Sequence, residues 1–278
     1  MKGTFWGLVL LVLSGCSTSL DIPEISNEAT LMARSSTYKD LVSLPRPRGK
    51  IFVAVYDFRD QTGQYRPQPN SNFSTAVPQG GAALLTNALL DSKWFIPLER
   101  EGLQNLLTER KIIRAAQKKD EAPKNHGSYL PSLTSANVMI EGGIVAYDTN
   151  IKTGGAGARY LGVGASGQFR TDQVTVNVRA VDVRSGKVLL SITTSKTILS
   201  KELQAGVFKF IDYKDLLEAE LGYTTNEPVN VALMSAIDSA VVHFIVGGIK
   251  IGLWQPANKD DIKHPVLQEY MTKNFPII

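Results

Sequence analysis

The sequence has very few residues of the kinds that carry metal or redox chemistry. Cysteine occurs once, as Cys16, and histidine occurs three times. A single cysteine cannot form a disulfide within the chain. His126, His243 and His264 are isolated from one another and show neither metal-ligand spacing nor the Ser-His-Asp arrangement of a hydrolase. The sequence therefore predicts no catalytic residues, no metal, no cofactor and no enzymatic activity.

Charge of one sign and nucleotide-binding motifs are also scarce. The formal net charge is only +4 and is spread along the chain, which gives no reason to expect a nucleic-acid partner. One G-x-G-x-x-G match occurs at Gly162–Gly167. The dinucleotide fingerprint needs a buried strand before the glycines and a helix after them, whereas strand-like alternation continues through this match. The sequence therefore predicts no nucleotide site.

The N-terminus has the features of a bacterial lipoprotein signal. Lys2 supplies a positive charge, and Phe5 to Leu13 form an apolar run of the usual length. The run ends in Leu-Ser-Gly-Cys, where small residues precede Cys16 as in a lipobox. We predict a signal peptide at residues 1–15 and acylation, including palmitate, of Cys16. Ser17 favours the outer membrane, because aspartate at that position would resemble an inner-membrane retention signal. The alternative is an ordinary signal peptide with a chance cysteine.

The mature chain reads as an α+β domain with an appendage at each end. Residues 16–48 are polar and proline-containing, which predicts a surface tether. Strands and helices are predicted at Lys50–Asp57, Val77–Ser92, Trp94–Leu98, Glu101–Gln117, Asn137–Tyr147, Gln173–Asp182, Lys187–Thr197 and Val229–Ile249. Ser185-Gly186 should make the turn of a β-hairpin. These elements place a soluble domain at 49–148, 173–195 and 225–255, followed by a polar extension at 256–278.

The segment Val229–Ile249 is apolar and long enough to span a bilayer, which takes about twenty residues. It contains Asn230, Asp238 and His243, however, and charged groups at bilayer depth are costly. We therefore predict that this helix packs on the sheet or against a neighbouring subunit.

Two segments do not fit the soluble domain, at residues 149–172 and 196–224. From Leu161 to Phe169, apolar residues alternate with glycine and small polar residues, a period of two that predicts a strand with unlike faces. A spanning β-strand needs roughly 9–11 residues, so each segment is long enough for two strands and a turn. We predict two transmembrane β-hairpins.

The second segment also shows alternation with an acidic face. Its turn is predicted at Asp212–Asp215. The polar face would carry Glu202, Glu218 and Glu220, and Asp172 would lie at the foot of the first hairpin. These four residues are the predicted acidic lining of a pore.

Four strands cannot close a barrel, since about eight is the smallest closure that spans a membrane. Open sheet edges are not tolerated in hydrocarbon, so several protomers would have to pool their hairpins in a closed ring. The predicted fold class is thus an α+β periplasmic domain with two inserted transmembrane β-hairpins that pool in an oligomeric β-barrel. The alternative is a soluble protein whose long hairpins are covered by another subunit.

Several stretches of the chain resemble the CsgG family of curli secretion channels. The stretches are Ser71–Gln79, Trp94–Arg100, Gly102–Leu107, Glu109–Ala116, Gly157–Tyr160, Thr194–Leu199, Gln204–Phe208 and Gly222–Pro228. The resemblance covers nearly all of the mature chain.

This resemblance implies a lipid-anchored outer-membrane pore of nine protomers above a periplasmic vestibule. Unfolded curli subunits would pass through it by diffusion, with help from a periplasmic cap protein and a surface nucleation protein. In the family, a loop with a Tyr, an Asn and a Phe forms the constriction. Asn72 and Phe73 match two of these residues, and Gln68 stands at the Tyr position. The rival hypothesis is a non-channel periplasmic lipoprotein that binds an envelope assembly partner.

Overall fold

One mixed β-sheet of seven strands organises the fold. The computed structural model describes residue 35 and residues 37–65, 74–119, 130–154, 167–203, 207–211 and 228–272. The strands are β1 (Ile51–Val55), β2 (Arg59–Asp60), β3 (Phe95–Leu98), β4 (Val138–Gly154), β5 (Gly167–Asp182), β6 (Val188–Leu203) and β7 (Val207–Ile211). The helices are α1 (Tyr38–Ser43), α2 (Gly81–Asp91), α3 (Leu103–Lys119), α4 (Pro228–Lys250) and α5 (Pro265–Thr272), with a 3-10 helix at Lys259–Lys263. The predicted mixture of helices and strands is confirmed.

The strands follow the spatial order β3-β1-β4-β5-β6-β7, and β2 also pairs with β4. Strand β1 runs parallel to β3 and β4, and β2 runs parallel to β4. From β4 to β7 each strand is antiparallel to the next. The sheet therefore has a parallel half, with helices in the connections, and an antiparallel half made of consecutive strands.

The hairpin predicted around Ser185-Gly186 joins β5 and β6. Gly186 has a φ of +69°, a left-handed conformation that suits glycine. Ser185 donates to the Asp182 carboxylate from its hydroxyl at 2.5 Å and from its backbone N–H at 3.1 Å. The Ser185 hydroxyl thereby holds the pKa of Asp182 below its ordinary value. These contacts fix a tight turn at the end of the sheet.

Helix α4 covers one face of β5 and β6. Alternate residues of β5 on this face, Val174, Val176 and Val178, are buried, as the period-two pattern requires. By length and composition, Val229–Lys250 could cross a membrane, but 72% of its most apolar window is buried inside the protein. The prediction that this helix packs on the sheet is confirmed. Its one acidic residue, Asp238, is buried and accepts a hydrogen bond from the Ser35 hydroxyl at 2.5 Å.

The described residues nearest the two ends of the chain form helices that the sequence did not predict. Residues 37–48 were expected to be part of a tether, yet α1 lies there and buries Leu41. The predicted C-terminal extension contains α5, which buries Leu267 and Tyr270. The hydroxyl of Tyr270 donates to Asp40 at 2.8 Å, and burial, with Asp40 beside it, raises the pKa of Tyr270. Each of these helices is too short to give a clear hydrophobic period.

An aromatic cluster joins β3 to α4 and to the segment that follows it. The ring of Trp254 lies 5.8 Å from that of Phe95 and 5.4 Å from that of Phe244, between centroids. The indole Nε1 of Trp254 donates to the carbonyl of Ile245 at 2.7 Å. Gly248 lies directly beneath the indole, where an added Cβ would overlap the ring. This close approach holds the end of α4 against the sheet.

Candidate channel wall and constriction loop

Strands β4, β5 and β6 are much longer than the domain core requires. They contain 17, 16 and 16 residues, and at about 3.3 Å per residue each extends for roughly 50 Å. Strands in globular proteins are usually about five or six residues long. The last described side chains on the helix-covered face are those of Thr149, Asp172 and Ile198, and the strands continue beyond them. The described parts of the two predicted hairpins are therefore extensions of core strands.

Backbone pairing continues along these extensions. Opposite Gly154 on β4 lies Gly167 on β5, so the described ends of these strands meet on either side of the Gly-rich segment. On the next pair, Gln168 of β5 lies opposite Glu202 of β6. The predicted strand character of residues 167–170 is confirmed. Residues 155–166, which include most of the Gly-rich alternation, lie outside the described part of the chain.

The second hairpin differs from the prediction in its outgoing strand. Leu203 of β6 lies opposite Val207 of β7, so the direction of the chain reverses between two residues that were predicted to lie on one strand. The predicted turn at Asp212–Asp215 lies outside the described residues. In this register Glu202 lies opposite Phe208. The predicted pore-lining residues Glu218 and Glu220 lie outside the described residues.

Asp172 is the one predicted pore-lining residue whose side chain is described, and it is completely buried, with 0% of its surface exposed. Its Oδ1 accepts hydrogen bonds from the Thr149 hydroxyl at 2.9 Å and from the Tyr147 hydroxyl at 3.2 Å. A side chain buried within one protomer cannot line a water-filled pore. This burial argues against the predicted lining role. The strand alternation that buries Val174 also turns Asp172 toward the helical layer.

Asp172→Ala should destabilise the domain, because the hydroxyl of Tyr147, which is buried, would lose this acceptor. Removing the partner of a buried polar group costs about 1–3 kcal/mol. Thr175→Ala is the matched control, since Thr175 lies on the opposite face, where it bonds to Ser195. The measurement is the thermal unfolding midpoint of the purified full-length protein. Equal midpoints for the two variants would show that the Asp172 contacts contribute nothing to stability.

The predicted constriction loop lies in the connection between β2 and α2. Its residues Gln68, Asn72 and Phe73 lie outside the described residues, as does the lipidation site Cys16. The two ends of the connection are described and lie side by side. Tyr65 and Thr75 form an antiparallel bridge, and the N–H of Ala76 donates to the carbonyl of Gln64 at 2.8 Å. The two described ends of the connection therefore lie next to each other.

Two neighbouring glycines of β4 allow close approach on its two sides. Gly142 has a φ of +149°, and a Cβ there would overlap the carbonyl of Asn177 on β5. At Gly143 a Cβ would overlap the carbonyl of Arg59 on β2. Gln61 then bonds to β4 twice, from its N–H to Ile144 at 2.9 Å and from its Nε2 to Gly142 at 3.1 Å. Gly143 thus allows β2 and the start of the connection to lie against β4.

The described part of the chain contains no group of three or more His, Cys, Asp or Glu side chains that could hold a metal ion. The polar contacts described above join parts of the fold to one another. The features left to carry function are the long strands and the loop.

Comparison with known proteins identifies the family. A family model described as "Curli production assembly/transport component CsgG" matches residues 34–274. The chain belongs to the CsgG family. A CsgG relative from Salmonella typhimurium is 55% identical over 269 residues, which cover 97% of this chain and 96% of the relative. One from Escherichia coli K12 is 54% identical over 276 residues, 99% of both chains. Both relatives are named as a curli production assembly/transport component and not as an enzyme, and the resemblance seen in the sequence is confirmed.

Solved structures add little to this assignment. The PelC dodecamer from Paraburkholderia phytofirmans is 15% identical, covering 72% of this chain and 92% of that chain, with a TM-score of 0.29. At this level of similarity its subunit number carries no argument for a CsgG protein.

Proposed function

We propose that this chain is one protomer of an outer-membrane channel that exports unfolded curli subunits from the periplasm to the cell surface. The observation that carries the proposal is the continuation of β4, β5 and β6 beyond the helical layer. Long paired strands need a cover for their apolar face, and a membrane provides one. The names of the CsgG relatives supply the class of cargo.

The oligomer follows from the number of strands that one protomer contributes. The predicted hairpins at 149–172 and 196–224 give four strands, too few to close a barrel. A closed ring of identical protomers removes the open edges. Nine protomers is the number that the family resemblance implies. Cys16, acylated, would tether each protomer to the outer membrane, with the soluble domain in the periplasm.

Transport through this channel is passive in our proposal. Rings of Gln68, Asn72 and Phe73 around the axis would narrow the pore while forming no single strong contact with an extended chain. A curli subunit would slide past them by diffusion, and the periplasmic cap and surface nucleation proteins would act at the two ends. Export from liposomes that required ATP would contradict passive transport.

Conductance recording tests whether the protein forms a channel. Purified full-length protein in a planar lipid bilayer should give conductance steps of uniform size. Cys16→Ser, which removes the acylation site, should reduce membrane association in cells. Absence of conductance from the wild-type protein, together with a soluble monomeric Cys16→Ser variant, would favour a periplasmic lipoprotein that binds an assembly partner.

Glu218→Gln combined with Glu220→Gln should reduce the cation preference of the channel. Each protomer would lose two negative charges from the proposed pore wall, and rings of acidic side chains favour cations. We expect the cation-to-anion permeability ratio, measured from the reversal potential in a salt gradient, to fall about twofold. Asp260→Asn is the control, because Asp260 lies in the 3-10 helix of the soluble domain. An unchanged ratio would mean that these side chains do not face the pore.

A further inference from the structure

A single carboxylate holds both ends of the connection between β2 and α2. Oδ1 of Asp60 accepts hydrogen bonds from the N–H and the hydroxyl of Thr62, at 2.8 and 2.7 Å. Oδ2 of Asp60 accepts a hydrogen bond from Nε2 of Gln79 at 3.2 Å. Thr62 lies where the connection begins, and Gln79 lies just before α2. The two oxygens of Asp60 therefore join the outgoing chain to the returning chain.

The orientation of the Gln79 amide is fixed by a second contact. Its Nε2 also donates to the carbonyl of Val77 at 3.2 Å. An amide nitrogen has two hydrogens, and both have an acceptor here. Rotating the amide by 180° would place its oxygen, Oε1, against the Asp60 carboxylate and the Val77 carbonyl, which are both acceptors. Gln79 must therefore donate to Asp60 through Nε2.

Asp60 itself is attached to the sheet. It lies on β2 opposite Ile144 of β4, and the next residue, Gln61, bonds to β4 from its backbone and its side chain. The contacts of Asp60 therefore attach both ends of the connection to the sheet. The backbone bond between Ala76 and Gln64 then sets how far the two ends are separated.

We propose that Asp60 and Gln79 are positioning residues that fix where the predicted constriction loop leaves and rejoins the domain. The inference rests on the proposed channel function. In a ring, every protomer must place its loop at the same distance from the axis for the opening to be uniform. The Asp60–Gln79 contact does this without touching the transported chain. Loss of the Asp60–Gln79 contact should make the pore opening less uniform while leaving the thermal stability of the domain nearly unchanged.

The test compares three variants by single-channel recording of the assembled full-length protein. Gln79→Ala removes the donor. Gln79→Glu replaces it with a second carboxylate beside Asp60, and like charges at this distance repel. The double variant Asp60→Asn with Gln79→Glu restores the contact between positions 60 and 79, since the Asn amide can donate to Glu while its oxygen still accepts from Thr62, but it does not restore the hydrogen bond to the Val77 carbonyl. Gln255→Glu adds the same charge at an exposed site elsewhere on the domain and is the control.

We expect the distribution of single-channel conductances to widen about twofold for Gln79→Glu and by less for Gln79→Ala. The double variant should narrow it again, and Gln255→Glu should leave it unchanged. The thermal unfolding midpoint and the subunit number, measured by native mass spectrometry, should stay as in the wild type. Wild-type conductance widths for Gln79→Glu and Gln79→Ala would overturn the inference and leave the channel intact. Absence of channels from the wild-type protein would overturn the proposed function, and this inference with it.

Discussion

Gly248→Ala should destabilise the protein by about 3 kcal/mol, because its Cβ would occupy the space of the Trp254 indole. The overlap would involve Cε2, Cζ2 and Nε1 of that ring. Trp254 cannot move aside at low cost. Its Nε1 donates to Ile245, and its ring packs between Phe95 and Phe244. The variant must therefore either shift α4 away from the sheet or expel Trp254 from the core.

The neighbouring residue supplies the control for this prediction. A Cβ at Gly247 would approach only the Leu190 side chain, with Cδ2 at 3.1 Å, and a leucine side chain can rotate away. Gly247→Ala also gains up to about 1 kcal/mol of helix propensity. Thermal unfolding of the two full-length variants, followed by tryptophan fluorescence, should give a clearly lower midpoint for Gly248→Ala alone. Equal midpoints would mean that the indole is not packed on Gly248.

Phe73→Ala should increase single-channel conductance about twofold, because it would remove an apolar ring from the proposed constriction. Every protomer would lose one aromatic side chain at the same distance from the axis. The change should also alter the export of curli subunits, since the opening would be wider and less apolar. The measurement is the conductance step of the purified protein in a planar bilayer.

Ser74→Ala is the control for Phe73→Ala. Ser74 is the next residue, is exposed, and loses only a hydroxyl in this variant. Its conductance should match that of the wild type. A Phe73→Ala channel with wild-type conductance would place Phe73 away from the pore axis, whatever the effect on export.

The sequence predicted best those elements in which the hydrophobic pattern extends over many residues. Alternation of valines in β5 and the apolar length of α4 each predicted an element that the structure contains. Helices α1 and α5 were missed because each is short and buries only a few residues, among them Leu41 and Leu267. In such short segments, burial depends on what lies opposite in space, and that information is not local.

The candidate site was predicted less completely, for a related reason. Alternation assigns the residues of a strand to two faces, but it does not show what covers each face. Asp172 was therefore assigned to the pore wall, whereas it is buried and accepts hydrogen bonds from Tyr147 and Thr149. Pairing register is equally invisible in a single sequence, so Leu203 and Val207 were placed on one outgoing strand, whereas they pair with each other on two strands. The Asp60–Gln79 contact could not be predicted from the sequence, because the two residues meet only when the two ends of the connection lie side by side.

The continuity of β4, β5 and β6 has a mechanical consequence. Because no linker separates the helix-covered part of these strands from their extensions, a force on the extensions reaches the core through covalent backbone and paired hydrogen bonds. The part of the sheet beneath α4 and the strand extensions are therefore mechanically coupled, and tilting the extensions also strains the sheet beneath α4.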